Sequence, residues 1–356
     1  MTTALTLAAQ SAADTDSVSA VRRRHYWETL GTDLRDVSSY DDALTAAGLD
    51  WGLLMTEMSP KAVLALNGDL VHAVAADRRF VLRDDTNLIL GMVGATYTGV
   101  DNRSAFSVTE HLHRMGASWV AGGETDSGRT AFMLMRPLGS VVTVTDKQGR
   151  TDQINVDVQI GTGHGGAASL TYEIRATRAV QATSLAVSSS SFPGMDPSII
   201  VRHTSSAPDR VKDAKTIMTR SARYVLGFTQ IAQKLVATPV GRVEVFRVLD
   251  AMFPKPKRDL VDAADEIGVL RADRRAAART RRWTARREEI VARFQAQEFA
   301  PGTAYAAFVS IAEYLEWGAP CKGDRAHAAA KRAFLDRSRD LRSKALSVLL
   351  NPAALY

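Results

Sequence analysis

Between Leu270 and Arg287 the sequence LRADRRAAARTRRWTARR sets eight arginines, Arg271, Arg274, Arg275, Arg279, Arg281, Arg282, Arg286 and Arg287, against a single aspartate. A guanidinium binds phosphate through paired N–H donors, keeps its charge and stacks on bases, so a dense arginine segment suits a nucleic-acid backbone. Trp283 lies inside the run and would offer a stacking platform for unpaired bases. Its spacing argues otherwise: Val269, Ala276, Trp283 and Ile290 recur every seven residues, a seam that packs inward. The competing reading of the arginines is a solvated helix face, paired with Glu288, Glu289 or acidic patches of the first half.

Other constellations carry less. Gly161-Thr-Gly163-His-Gly-Gly166 fits the Gly-x-Gly-x-x-Gly dinucleotide fingerprint, but that loop must open a helix. Here ASLTYEIRATRAV follows with strand-type alternation, so the glycines are expected in a wide turn that needs positive φ or close backbone approach. His111 and His113 stand two apart on a predicted helix and cannot chelate together as an i,i+4 pair would. Cys321 is the one cysteine, with no Cys/His pattern around it, and no Gly-x-Ser-x-Gly elbow is present, so neither metal, cofactor nor catalytic nucleophile is expected. Asp84 and Asp85 sit side by side after Arg83, where strand geometry points neighbours to opposite faces; pairing with Arg83 or Arg178 explains them better than a divalent ion. Arg22, Arg23 and Arg24 precede Tyr26 and Trp27, either as a basic-aromatic clamp or, more simply, as a helix start with its aromatics tucked inward.

These groups must be positioned by a chain of 356 residues whose charge is unevenly laid out. Residues 1–200 hold 16 basic and 22 acidic side chains, net −6, whereas 201–356 hold 29 and 17, net +12. A surface field follows where charge concentrates, so the second half is the part expected to meet a polyanion. With 46% hydrophobic and 24% charged residues, wholesale disorder is excluded. No apolar run approaches membrane-span length and no secretory signal is evident, so a cytoplasmic location is expected.

Residues 1–20, rich in Ala, Thr and Ser, are expected to form a mobile tail. From about Lys61 to Ser191 short β-rich runs alternate polar and apolar residues, among them RFVLR, LILGMVGATY, TAFMLMR, SVVTVT and INVDVQI. Turn residues punctuate them at Asn67-Gly68-Asp69, Asp126-Ser127-Gly128 and Asp146-Lys147-Gln148-Gly149. One helix interrupts, Asn102 to Met115, with Phe106, Leu112 and Met115 inward and Ser104 as its cap. Beyond Pro208 helical periodicity takes over across about 209–236, 241–252, 259–297, 302–317 and 325–349. The segment KRAFLDRSRDLRSKALSVLL reads as a basic amphipathic helix with Arg332, Arg339 and Arg342 on its polar face. The expected fold is α+β: an antiparallel β-sheet with a backing helix over 21–205, then a basic, mostly helical region over 206–356.

Four stretches, RDDTNLILGMVGATYTGVDNRSAF (83–106), GTGHGGAA with the strand ending in Arg178, IIVRHTSSAPDRVKDA (199–214) and GTAYAAFVSIAEYLEW (302–317), together resemble the phage/plasmid-like protein family of actinobacterial phages and mobile elements. That family usually carries a Cys and then Asn-Thr after Arg178, where this chain has Gln181 and Thr183-Ser184, so a thiol-dependent role is not implied. In outline the family is similar to RecT and Redβ single-strand annealing proteins, which implies single-stranded DNA as partner, a homo-oligomer and no enzymatic activity. The expected contacts are the eight arginines above, with Arg83, Arg178, Arg202 and His203 from the family-like segments. Two other classes stay open: an interaction protein assembling through acidic and basic faces, and a small-molecule enzyme at the glycine turn and His164.

Overall fold

A computed structural model describes residues 23–57, 78–166, 168–188, 197–201, 214–256 and 266–351, without the side chains of 57, 201 and 266–273. The expected tail, the Asn67 turn, the 205/206 boundary, Arg202 and His203 lie outside the described residues.

The chain opens with α1 (Tyr26–Leu30), β1 (Thr32–Asp33) and α2 (Tyr40–Ala46), followed by β2 (Leu53–Glu57), β3 (Arg78–Arg83) and β4 (Ile89–Gly94). Next come α3 (Asn102–Arg114), β5 (Ser118–Thr125), β6 (Thr130–Arg136), β7 (Val141–Thr145), β8 (Thr151–Gly163), β9 (Leu170–Arg178) and β10 (Ser198–Val201). The rest is helical: α4 (Ala214–Ala237), α5 (Arg242–Met252), α6 (Glu266–Gln295), α7 (Ala304–Glu313) with a π-turn (Tyr314–Gly318), α8 (Arg325–Leu335) and α9 (Arg339–Leu349). The α+β class holds, but the strands form two antiparallel sheets where one was expected: β1-β5-β6-β8-β9-β10 with β7 beside β8, and β2-β3-β4. The long β8 makes the larger sheet possible, because it pairs with β7 over Thr151–Asn155 and with β6 over Val158–Gly163 along one edge.

Alternation on β6 shows why that sheet is covered on both faces. Ala131, Met133 and Met135 enter the main core with α3, α4, α5, α7 and α9, while Phe132 and Leu134 enter a second cluster with Tyr26 and Trp27 of α1 and Ala330, Ala333 and Phe334 of α8. Tyr26 and Trp27 are each 5% exposed, as the tucked-aromatic reading expected. α3 is capped by Asp101, whose carboxylate accepts from Ser104 N (2.6 Å), one turn before the expected cap, and Met115 at its end is exposed. The Asp126 and Asp146 turns form as expected; in the second, the Asp146 carboxylate accepts from the amides of Gln148 and Arg150.

The glycine turn follows β8 and leads into β9, with Gly165 and Gly166 at positive φ. A Cβ on Gly91 of β4 would stand 2.5 Å from Gly165 O, so the turn seats directly on the β4 backbone and joins the two sheets. No side chain fits between two backbones at that distance. Gly91→Ala is accordingly expected to cost about 2 kcal/mol or more, read as a lowered urea midpoint with unchanged slope; an unshifted midpoint would mean the sheets separate freely.

The predicted single helix over 325–349 is two helices. Asp336 takes the left-handed conformation (φ 45°) between α8 and α9, and its buried carboxylate accepts from Arg339 and Arg342. Arg342 is 2% exposed and also donates to Ala186 O (2.7 Å), so the expected polar face is partly an internal one. Burial pushes the Asp336 carboxyl upward, but Arg342, Arg175 and Arg339 together hold it below the ordinary carboxylate range. Arg332 donates to the Glu316 carbonyl from α8.

Glu316 in the π-turn is fully enclosed, and burial lifts its carboxyl from 4.5 to about 7 although its Oε2 accepts from Ser184 N (2.8 Å). An acid whose folded pKa exceeds its unfolded one stabilises the protein below the unfolded value and loses that contribution as pH rises to the folded one. Between about pH 4.5 and 7 the folded state binds the extra proton, so stability falls with pH. Glu316→Gln keeps the acceptor for Ser184 and removes the charge; its stability advantage over wild type should grow across that window in urea melts. An advantage constant with pH would contradict the burial of this carboxylate.

Candidate nucleic-acid interface

α6 is built for length: Ala and Arg are strong helix formers, and its 30 residues hold no Pro and no Gly beyond Gly268. Its C-terminal part is anchored by Ile290, Val291 and Phe294, all buried. Trp283 is half-buried against the same core, and its indole N–H donates to Phe253 O at the end of α5 (2.7 Å). The seam therefore packs inward at Trp283 and Ile290, while the side chain of Val269 lies outside the description, and the tryptophan fixes α6 against α5. Arg287 stacks on Trp283 with its guanidinium carbon 4.2 Å from the ring centre and pairs with Asp250 (2.9 Å); Arg286 lies 4.6 Å over Phe253.

The remaining arginines are differently placed. Arg274, Arg275, Arg281 and Arg282 are exposed. Among the described residues no carboxylate pairs with Arg274, Arg275, Arg281, Arg282 or Arg286. Glu288 and Glu289, the nearest acidic residues in sequence, are held by Arg242 (3.3 Å) and Arg293 (2.8 Å) instead. Two open grooves run along the helix. One, of about 450 Å³, is lined by Arg274, Arg275, Ala278, Arg279 and Arg282. The other, of about 370 Å³, lies between Arg279, Arg282, Trp283 and Arg286 and an apolar wall of Met252, Phe253, Pro254 and Pro256. They share Arg279 and Arg282, so they form one trough. Steps of four, three and four residues from Arg275 through Arg279 and Arg282 to Arg286 keep these guanidiniums on one face over about 16 Å. The sequence pointed to the arginines but not to the wall, which comes from the Phe253-Pro-Lys-Pro256 segment after α5.

Of the other expected contacts, Arg83 and Arg178 are consumed inside the protein. Arg83 pairs with Asp85 and Glu124 (2.8 Å each) and stacks on Trp51 at 4.2 Å, which also accounts for Asp85, while Asp84 accepts from Gly52 N. Arg178, 5% exposed, pairs with Asp152 (2.6 Å) and Glu313 (3.2 Å). Neither guanidinium can reach a phosphate without leaving these carboxylates. The Arg271 side chain lies outside the description. His164 is fully buried, its Nε2 2.9 Å from Asn102 Oδ1 and its ring edge-on to Trp51, so the glycine turn is packed against protein.

An α+β protein with an arginine trough on its helical half is the class that these observations define. The chain belongs to the family described as domain of unknown function DUF932, whose pattern matches residues 89–344, from β4 into α9. No curated protein and no solved structure matches it. Among the described residues no helix is long and apolar enough to cross a membrane.

Proposed function

We propose that the chain is a non-enzymatic protein that binds single-stranded nucleic acid in the α6 trough, as an annealing or recombination factor of a phage or mobile element. The observation that carries this reading is a line of guanidiniums on one face of α6 beside an apolar wall, where among the described residues no carboxylate pairs with Arg275, Arg282 or Arg286. Phosphates bound along the arginines would leave bases turned toward Phe253 and Pro254 or outward to pair with a second strand. The apolar wall favours an unpaired strand, because a duplex keeps its base faces stacked away from such a surface. The charge split and the resemblance to phage/plasmid-like proteins support the same assignment.

A short fluorescently labelled single strand should bind at low salt and be displaced poorly by an unlabelled duplex of equal length. Failure of either form to bind at low salt would overturn the proposal; equal displacement by duplex would remove the preference for single strands.

A further inference from the structure

The wall of the α6 trough has a chemistry of its own. Its side chains are those of Met252, Phe253, Pro254 and Pro256, and they carry neither an N–H nor an oxygen. The backbone beside them is committed in the same direction. Phe253 N donates to Leu249 O (2.7 Å), Phe253 O accepts the Trp283 indole N–H (2.7 Å), and a proline has no N–H to give. Pro254 is exposed and Pro256 half-buried, so both rings are presented to whatever fills the trough.

The two aromatic rings that line the trough are already covered. Arg286 lies over Phe253 at 4.6 Å and Arg287 over Trp283 at 4.2 Å, while Phe253 is only 9% exposed and Trp283 packs against the main core. A strand whose phosphates follow Arg275, Arg282 and Arg286 therefore meets the proline rings with its sugars, the part of each nucleotide that adjoins the phosphate. Ribose and deoxyribose differ there by one hydroxyl. Pressed on an apolar wall, that hydroxyl loses its water and gains no partner, a cost that deoxyribose escapes. Resting on the reading of the trough as a single-strand site, we infer that the Phe253–Pro256 wall packs against the sugars and selects deoxyribose over ribose, with Pro254 and Pro256 setting the preference. The 2′-hydroxyl is the group by which a protein tells RNA from DNA, and here the discrimination works by exclusion.

Oligo(dU) and oligo(rU) of equal length differ only in that hydroxyl, and competition of each against one labelled strand at low salt reads the preference. Oligo(dU) should bind about tenfold tighter or more. A 2′-fluoro strand, which keeps the ribose pucker but has no hydroxyl, should bind like oligo(dU). P254S/P256S restores an N–H and adds a hydroxyl at each position, and should bring the ratio of the two affinities below about threefold. Its salt slope and melting temperature should match wild type, because the arginines are untouched and neither proline is buried. Equal affinities for the two sugars, a 2′-fluoro strand that behaves as oligo(rU), or a ratio unmoved in P254S/P256S would each overturn the inference. The trough would still stand if that binding is lost in R275Q/R279Q/R282Q/R286Q. Absence of binding by both sugars at low salt would overturn the reading of the trough itself, and the inference with it.

Discussion

Arg178→Ala is expected to destabilise the protein by about 3–5 kcal/mol, the cost of stranding buried charge when one partner of an internal ion pair is removed. Asp152 and Glu313, whose side chains are 2% and 4% exposed, would lose their shared cation, leaving Glu313 only the longer contact to Arg23 at 3.7 Å. Tyr305 already donates to Asp152 (2.8 Å) and cannot donate to Glu313 as well. The loss should appear as a lower urea midpoint with an unchanged slope. Removing the carboxylate too, as in R178M/D152L, should recover part of the loss, because an apolar pair of similar volume avoids the desolvation cost. A loss below about 1 kcal/mol would place Arg178 among ordinary surface residues and return it to the pool of phosphate contacts. At a temperature where the variant is still folded, its affinity for single strands should equal that of wild type.

The second large effect lies on α6. Replacing Arg275, Arg279, Arg282 and Arg286 together by glutamine preserves helix propensity while removing four candidate phosphate contacts. For single strands each contact contributes about 0.7 to the slope of log affinity on log salt, so the slope should fall by about 3 and affinity at 0.1 M salt by roughly 10²–10³. Stability should change little, since among the described residues Arg275, Arg282 and Arg286 pair with no carboxylate, and glutamine keeps the aliphatic stem and a hydrogen-bonding end at each position. Arg281 is the internal control: it is exposed on the same helix and lines neither groove. Arg281→Gln removes an equal charge and should lower the slope by less than one contact's share.

The residues themselves explain how much of this was readable beforehand. TAFMLMR and INVDVQI declared strands because alternation and bordering turn residues agree, and the Asp126 and Asp146 turns fell where those residues stand. Pairing was not readable: periodicity gives a strand its faces but not its neighbours, so the division into two sheets emerged only from register. α1 and α2, of five and seven residues, are too short for a helical period to register. The break at Asp336 was invisible because helical spacing continues on both sides of it, and what bends the chain is the carboxylate's pairing with Arg339 and Arg342.

The candidate site divided along similar lines. Arginine density in 271–287 was legible as charge, whereas which guanidiniums are spent internally depended on partners distant in sequence, Asp250 for Arg287 and Glu313 for Arg178. Arg83 and Arg178 stood out because they lie in family-like segments, and their carboxylate partners give a structural reason for arginine at both positions.

The most direct measurement is the affinity of the full chain for one labelled single strand, titrated at several salt concentrations beside the four-glutamine variant. Wild type should give a straight line of log affinity against log salt with a slope of about −3 or steeper, and the variant a line shallower by about 3. Parallel lines for the two proteins, or no binding by wild type at the lowest salt, would contradict the assignment of the α6 trough as a nucleic-acid interface.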